Sequence, residues 1–151
     1  MIITVSEEIH APRERVWKII TDIDSWTDTI SGIVAIEVIN RPASGIIDLK
    51  WRETRVLFGK EAVETMWITA ARDNHWYETR AENHGAIYST RISLEDGKKK
   101  TVLSMTFSSR PTTFVSRLMS FMGYLFRSSM RKMLQQDLAD IRRAAEADGP
   151  R

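Results

Sequence analysis

Glu53, Arg55, Tyr77 and Tyr88 are the polar side chains best placed to work inside an apolar pocket, because each lies at an alternate position of a strand-like run. Trp51, Glu53, Arg55 and Leu57 share one parity. So do Tyr77, Thr79 and Ala81, then Ala86, Tyr88, Thr90 and Ile92, then Leu103, Met105 and Phe107. Val63, Thr65, Trp67 and Thr69 form the corresponding set on the run between 61 and 72. If these parities face inward, a carboxylate, a guanidinium and two phenols line one apolar hollow. Acid–base chemistry needs only one or two such groups, since burial shifts their pKa. If the parity is reversed, Glu53 and Arg55 pair on the exposed face with neighbours such as Glu64 or Arg80. A register shift of one residue exchanges the two outcomes.

Other chemistries find little support. There are no cysteines, which removes disulfide scaffolds, thiolate metal sites and cysteine nucleophiles. His10 follows the first strand, while His75 and His84 sit at opposite ends of a hairpin arm, roughly 25–30 Å apart if extended. A joint metal site is not expected. The sequence holds no G-x-S-x-G elbow, Walker A loop or Rossmann glycine fingerprint, so no nucleotide or other cofactor is expected by those routes.

The 151 residues suit one domain, taken as 1–148 with a frayed tail at 149–151. With 42% hydrophobic and 28% charged residues the composition is that of an ordinary globular protein. No apolar run reaches the length of a membrane span. The start, MIITVSEEIHA, has early acids and no basic leader, so a cytoplasmic setting is expected. Net charge is only +2, but it is unevenly spread. Residues 1–28 carry three cations against six acids. Residues 110–132 carry Arg110, Arg117, Arg127, Arg131 and Lys132 with no acid. Lys98-Lys99-Lys100 is a solvated hairpin tip rather than a nucleic-acid site, and the aromatics lack an RNP-like pattern. Nucleic acid is therefore not an expected partner. Basic residues flanking an apolar helix leave transient contact with a membrane surface as a secondary reading.

Periodicity supplies the elements. Ile3, Val5 and Ile9 alternate as a half-buried strand over 2–9, with Glu7 on the same parity. Ala11-Pro12 stops the strand, and Pro12 suits the first turn of a helix to about 22. A second short helix or turn carries Trp26. Strands follow over 33–40, 47–58, 61–72, 75–83, 86–95 and 100–109, separated by turn signals such as Asp73-Asn74 and Asp96-Gly97. Such short links make an antiparallel meander. Pro111-Thr112-Thr113 then opens a helix running to about 147, roughly 50 Å long. Its apolar stripe includes Leu118, Phe121, Met122, Leu125, Met130, Met133, Leu134, Leu138 and Ile141, and is broadest over 118–126. The expected fold is α+β: a seven-stranded curved antiparallel sheet wrapped around a long C-terminal helix, with two short helices after the first strand.

Ile3-x-Val5-x-x-x-Ile9-x-Ala11-Pro12-x-x-x-Val16-Trp17, followed by Asp22 and Trp26, resembles the N-terminal signature of the START-like (SRPBCC, helix-grip) superfamily. That group includes polyketide cyclase/dehydrase-like proteins, coenzyme-Q-binding proteins and plant Bet v 1 allergens. The helix ending Leu138-x-x-Ile141 is similar too, and the resemblance spans about 2–147. The glycine-rich loop of the plant allergens is absent, with only Gly45 in Arg41-Pro42-Ala43-Ser44-Gly45. The resemblance implies a small hydrophobic ligand, such as a lipid, polyketide or isoprenoid, held between sheet and helix. The expected lining is Trp51, Arg55, Trp67, Tyr77, Tyr88, Met105, Phe107, Leu118, Phe121, Met122 and Leu125. It also implies two alternatives. One is a cyclase or dehydratase in which Arg55 and Tyr88 polarise a carbonyl and Glu53 is the base. The other is a partner-binding module with a filled interior.

Overall fold

The computed structural model describes residues 1–57, 59–83, 85–97, 99–113 and 127–147. The strands are β1 (Ile2–Ile9), β2 (Ile33–Asn40), β3 (Lys50–Leu57), β4 (Lys60–Arg72), β5 (Trp76–Asn83), β6 (Ala86–Gly97) and β7 (Lys100–Pro111). Helix α1 (Arg13–Thr21), a 3-10 turn (Ile23–Ser25) and α2 (Trp26–Thr29) fill the link between β1 and β2. Helix α3 is described over Arg127–Ala147.

The seven strands form one antiparallel sheet in the order β1-β7-β6-β5-β4-β3-β2. Each hairpin pairs with its neighbour in sequence. The first strand, which has no hairpin partner, closes the far edge by pairing with the last, Ile3 opposite Phe107 and Ile9 opposite Thr101. Bulges interrupt the register between Ile33 and Ala35 and between Ile68 and Ala70. Bulges increase local twist and bend a strand, which suits a sheet that must curl around a helix.

The core lies on the concave face. Ile3, Val5 and Ile9 of β1 pack there with Val16 and Ile20 of α1, Leu103 of β7, and Leu134, Leu138 and Ile141 of α3. Thr101 is fully buried because its hydroxyl donates to the Ala11 carbonyl at 2.8 Å, fixing the bend before α1. Glu7 does not end β1 early. It pairs with Arg142 of α3, so a charge on the inner parity is matched at the rim.

The basic run finds a structural use. Strand β1 is an edge, and an edge exposes unpaired carbonyls. Arg127 donates to the carbonyl of Ile2 at 3.0 Å, and Arg131 to that of Thr4 at 2.9 Å. Four helical residues rise about 6 Å and two strand residues about 6.8 Å, so the two arginines keep step with the edge. Two of the cations offered for membrane contact are thus spent on the sheet. None of the described helices is long and apolar enough to cross a membrane.

The helix start differs from expectation. Pro111 is the last residue of β7, opposite Ala86, and Thr112 and Thr113 are not helical. The amide and hydroxyl of Thr112 both donate to the Gly85 carbonyl, at 2.8 and 2.6 Å, which holds this segment against the β5–β6 turn. Gly85 has φ of 74°, and an added Cβ would fall 2.8 Å from the Thr113 hydroxyl. The expected helix over 114–126 lies outside the described residues, as does the tail at 149–151.

Leu138 is fully buried in the cluster joining α3 to β1 and α1. Leu138→Ala is expected to destabilise the protein by about 2–5 kcal/mol, read from urea unfolding. A loss under about 1 kcal/mol would mean that α3 is not packed as described.

Candidate functional site

A cavity of about 360 Å³ lies between the concave face of the sheet, the α1–β2 segment and α3. The alternation of the strands decides what it sees. Trp51, Glu53 and Arg55 of β3 line it, as do Tyr77 and Thr79 of β5, Tyr88, Thr90 and Ile92 of β6, and Met105 and Phe107 of β7. From α3 come Met130, Met133, Leu134, Asp137 and Ile141. Ile19, Ile20, Trp26, Ile30 and Ile33 close the remaining side.

Of the eleven residues expected to line it, the structure brings together six, Trp51, Arg55, Tyr77, Tyr88, Met105 and Phe107, and Glu53 joins them. Trp67 is not among them. In the β3–β4 pairing Trp51 stands opposite Met66 and Glu53 opposite Glu64, and opposed residues share a face. The inner parity of β4 is therefore Glu64, Met66 and Ile68. Trp67 shares the outer face with Lys50, whose Nζ sits 5.8 Å from the ring centroid, and Val63 on the same parity is half exposed. The β-branched residues Val63, Thr65 and Thr69 had favoured the wrong parity. Leu118, Phe121, Met122 and Leu125 lie outside the described residues.

The polar groups form a chain from sheet to helix. The Trp51 indole donates to Glu53 Oε1 at 3.3 Å, and Arg55 Nε donates to Glu53 Oε2 at 2.6 Å. The rest of the Arg55 fork turns to α3, with Nη1 to Asp137 Oδ1 at 3.1 Å and Nη2 to Asp137 Oδ2 at 2.8 Å. Burial opposes the Arg55 charge, but Asp137 and Glu53 outweigh it and raise the guanidinium above its ordinary value. Gly32 admits this fork, since a Cβ there would stand 3.0 Å from Nη1. One residue earlier, the amide and hydroxyl of Ser31 donate to Asp140 Oδ2 at 2.9 and 2.8 Å.

Tyr77 is fixed rather than free. Its hydroxyl donates to the Ile20 carbonyl at 2.9 Å, burial raises its pKa, and its ring meets Trp17 edge-on at 6.0 Å. Tyr88 stacks on Phe107 at 6.0 Å, and burial followed by the nearby Glu64 raises its pKa. Burial, then the Glu53 carboxylate, pushes Glu64 above its ordinary 4.5, while Arg55 pulls the other way.

From sequence Glu64 is expected only as an outer-face partner of Glu53 and Arg55, and Asp137 and Asp140 do not stand out. A signal for Asp137 existed. Leu134, Asp137, Leu138 and Ile141 follow the i, i+3, i+4, i+7 spacing of one helix face. A carboxylate at a core position implies a buried cation, and Arg55 is that cation. Among the described residues no group of His, Cys, Asp and Glu side chains is arranged to hold a metal ion.

Comparison with known proteins places this geometry. The family described as "Polyketide cyclase / dehydrase and lipid transport" matches residues 1–146. No curated protein matches the sequence. Solved structures share the fold at low identity. TTHA0849 from Thermus thermophilus superposes with a TM-score of 0.82 at 16% identity, covering 99% of this chain and 100% of that one. A START superfamily protein from Mycobacterium smegmatis gives 0.64 at 15% identity, covering 89% and 97%. The di-domain ARO/CYC BexL from the BE-7585A biosynthetic pathway gives 0.79 at 11% identity, covering 97% of this chain and 50% of that one.

Two outcomes test the polar chain. Arg55→Met leaves Glu53 and Asp137 buried without their cation and is expected to cost about 3–5 kcal/mol. Asp137→Asn keeps an acceptor and leaves Glu53 paired, so its cost is smaller; equal urea midpoints for both variants and the parent would refute the chain. The second outcome concerns pH. Because the folded-state pKa of Glu64 is raised, the native state binds its proton more tightly than the unfolded state. Stability from this group is therefore lost as pH rises above about 4.5, until the folded pKa is passed. Glu64→Gln removes that loss. The variant should gain on the parent in urea midpoint between about pH 4 and pH 7.5, and an unchanged difference would contradict the burial of Glu64.

Proposed function

The chain belongs to the polyketide cyclase/dehydrase and lipid transport family, and from that premise we propose that it binds and carries a small hydrophobic ligand in the cavity between sheet and α3. The observation that carries this reading is the cavity itself. Left as a void, 360 Å³ would cost about 9 kcal/mol at the usual rate per unit volume. That approaches the whole stability of a domain, about 5–15 kcal/mol. Water could fill the space with on the order of a dozen molecules. Much of the wall, however, is Ile, Met, Phe and Trp, which offers them few hydrogen bonds. An apolar guest removes that conflict. The volume lies at the lower end of small-molecule sites, about 300–1,000 Å³. Met66, Met105, Met130 and Met133 give a wall that can adapt to its guest.

A second reading, a cyclase or dehydratase, is favoured by the polar groups left at the wall. The roles first assigned within it need revision. Three of the five N–H groups of Arg55 donate to Glu53 and Asp137, and each oxygen of Glu53 already accepts a hydrogen bond, so these two side chains serve first to build the wall. Tyr88 and Glu64 hold those roles instead. The partner-binding alternative requires a filled interior, and a cavity of this size counts against it.

Titration with the neutral fluorophore 1-aminoanthracene tests the proposal. Saturable one-to-one binding is expected, together with a co-purifying apolar molecule in native mass spectrometry that organic extraction removes. Thr90→Phe puts a ring into the cavity and should weaken probe binding about tenfold or more, with the far-ultraviolet circular dichroism unchanged. Absence of saturable binding, or binding indifferent to Thr90→Phe, would sink the carrier reading.

A further inference from the structure

The cavity wall carries four charged side chains among the described residues: Glu53, Arg55, Glu64 and Asp137. Three of them satisfy one another through the Arg55 fork. Glu64 is outside that chain and, with the Tyr88 hydroxyl, has no hydrogen-bond partner among the described residues. Register explains how the two approach. Met66, Ala81 and Tyr88 form one rung across β4, β5 and β6, with Glu64 one step along β4 on the same face. Strands β4 and β6 are about 10 Å apart, and Glu64 and Tyr88 both line the cavity, near enough for the carboxylate to act on the phenol.

We infer that Glu64 and Tyr88 are the polar recognition point of the cavity, and that its ligand is a neutral apolar molecule bearing a hydroxyl or carbonyl oxygen, not an anion such as a fatty-acid carboxylate. This rests on the ligand-binding reading above and narrows it. A hydroxyl satisfies both groups at once, donating to the Glu64 carboxylate and accepting from the Tyr88 O–H. A carbonyl accepts from Tyr88, and from Glu64 when that group is protonated, a form its burial favours. An anionic head would be the fourth side-chain carboxylate in a largely apolar hollow, where the Arg55 cation is already held on two sides and the Met1 ammonium, beside the Tyr88–Ser109 pair, already donates to the Ser109 carbonyl. Burying an unpaired charge there is unfavourable.

Competition against 1-aminoanthracene at about pH 7.5, where a carboxylic acid is ionised, tests this with one ring system in three forms. 2-Naphthol should bind about tenfold more tightly than 2-naphthoate, and several-fold more tightly than naphthalene. Glu64→Leu should erase the advantage of 2-naphthol over naphthalene and reduce the penalty on 2-naphthoate. Glu64→Gln, which still accepts a hydrogen bond and guards against a variant that fails to fold, should retain the 2-naphthol advantage. Equal binding of 2-naphthol and 2-naphthoate to the parent protein would overturn the inference, as would a 2-naphthol advantage that survives Glu64→Leu. If 1-aminoanthracene binds and the three competitors are not distinguished, only the oxygen selectivity falls. If neither 1-aminoanthracene nor naphthalene binds, the ligand-binding reading falls and takes this one with it.

Discussion

The bidentate contact between Arg55 and Asp137 is the constraint on which the rest of the structure depends. It joins the third strand to the C-terminal helix, residues 82 positions apart, across the wall of the cavity. Apolar packing alone would let a helix slide or roll on a curved sheet, because dispersion and burial are non-directional. A planar fork meeting a carboxylate is directional. With Asp140 fastened to Ser31 in the segment before β2, this side of α3 is held at two points about one turn apart, while Arg127, Arg131 and Arg142 tie the helix to β1. The distance between helix and sheet is thereby set by side-chain length, not by collapse. A hollow of this size persists because the elements around it are prevented from closing.

That arrangement has an energetic cost. Replacing a buried ion pair by well-packed apolar residues is often neutral or stabilising. The Trp51–Glu53–Arg55–Asp137 chain is therefore better understood as fixing position than as adding stability. It also explains why Glu64 differs from its neighbours. Its cross-strand partner Glu53 is already engaged, and a second carboxylate beside it finds no cation of its own among the described residues. The cation and its two acceptors build the wall, and the leftover acid faces the cavity.

Much of the fold was legible because it rests on period. Alternation located all seven strands, and Pro12 and the Asp73-Asn74 and Asp96-Gly97 turns marked where they stop. The lack of a hairpin partner for β1 says only that it joins the sheet from elsewhere; its place beside β7 comes from the structure. The site was legible only in part, for two physical reasons. Parity within a strand does not say which face is inward, so β3, β5, β6 and β7 were read with the correct face while β4 was inverted and Trp67 taken for Met66. Reading α3 as an apolar stripe also passed over Asp137, since a carboxylate contributes nothing to a hydrophobic pattern even when it occupies a core position. Placing Arg55 on an inner face posed the question of its counter-ion, and only the packing of α3 on β3 answered it.

The low identity to structures of the same fold fits this division of labour. At 11–16% identity the fold survives, since many apolar residues satisfy the same pattern of burial. The lining does not have that freedom. What a cavity accepts depends on a few polar atoms and on whether they are already bonded to each other. A residue that looks reactive by type, such as Arg55, can be engaged chiefly in holding the scaffold. One that looks unremarkable on a strand, such as Glu64, can be the group with unsatisfied capacity. For this chain the bonded state of each polar side chain, more than its identity, decides which groups of the shared architecture remain open to the cavity.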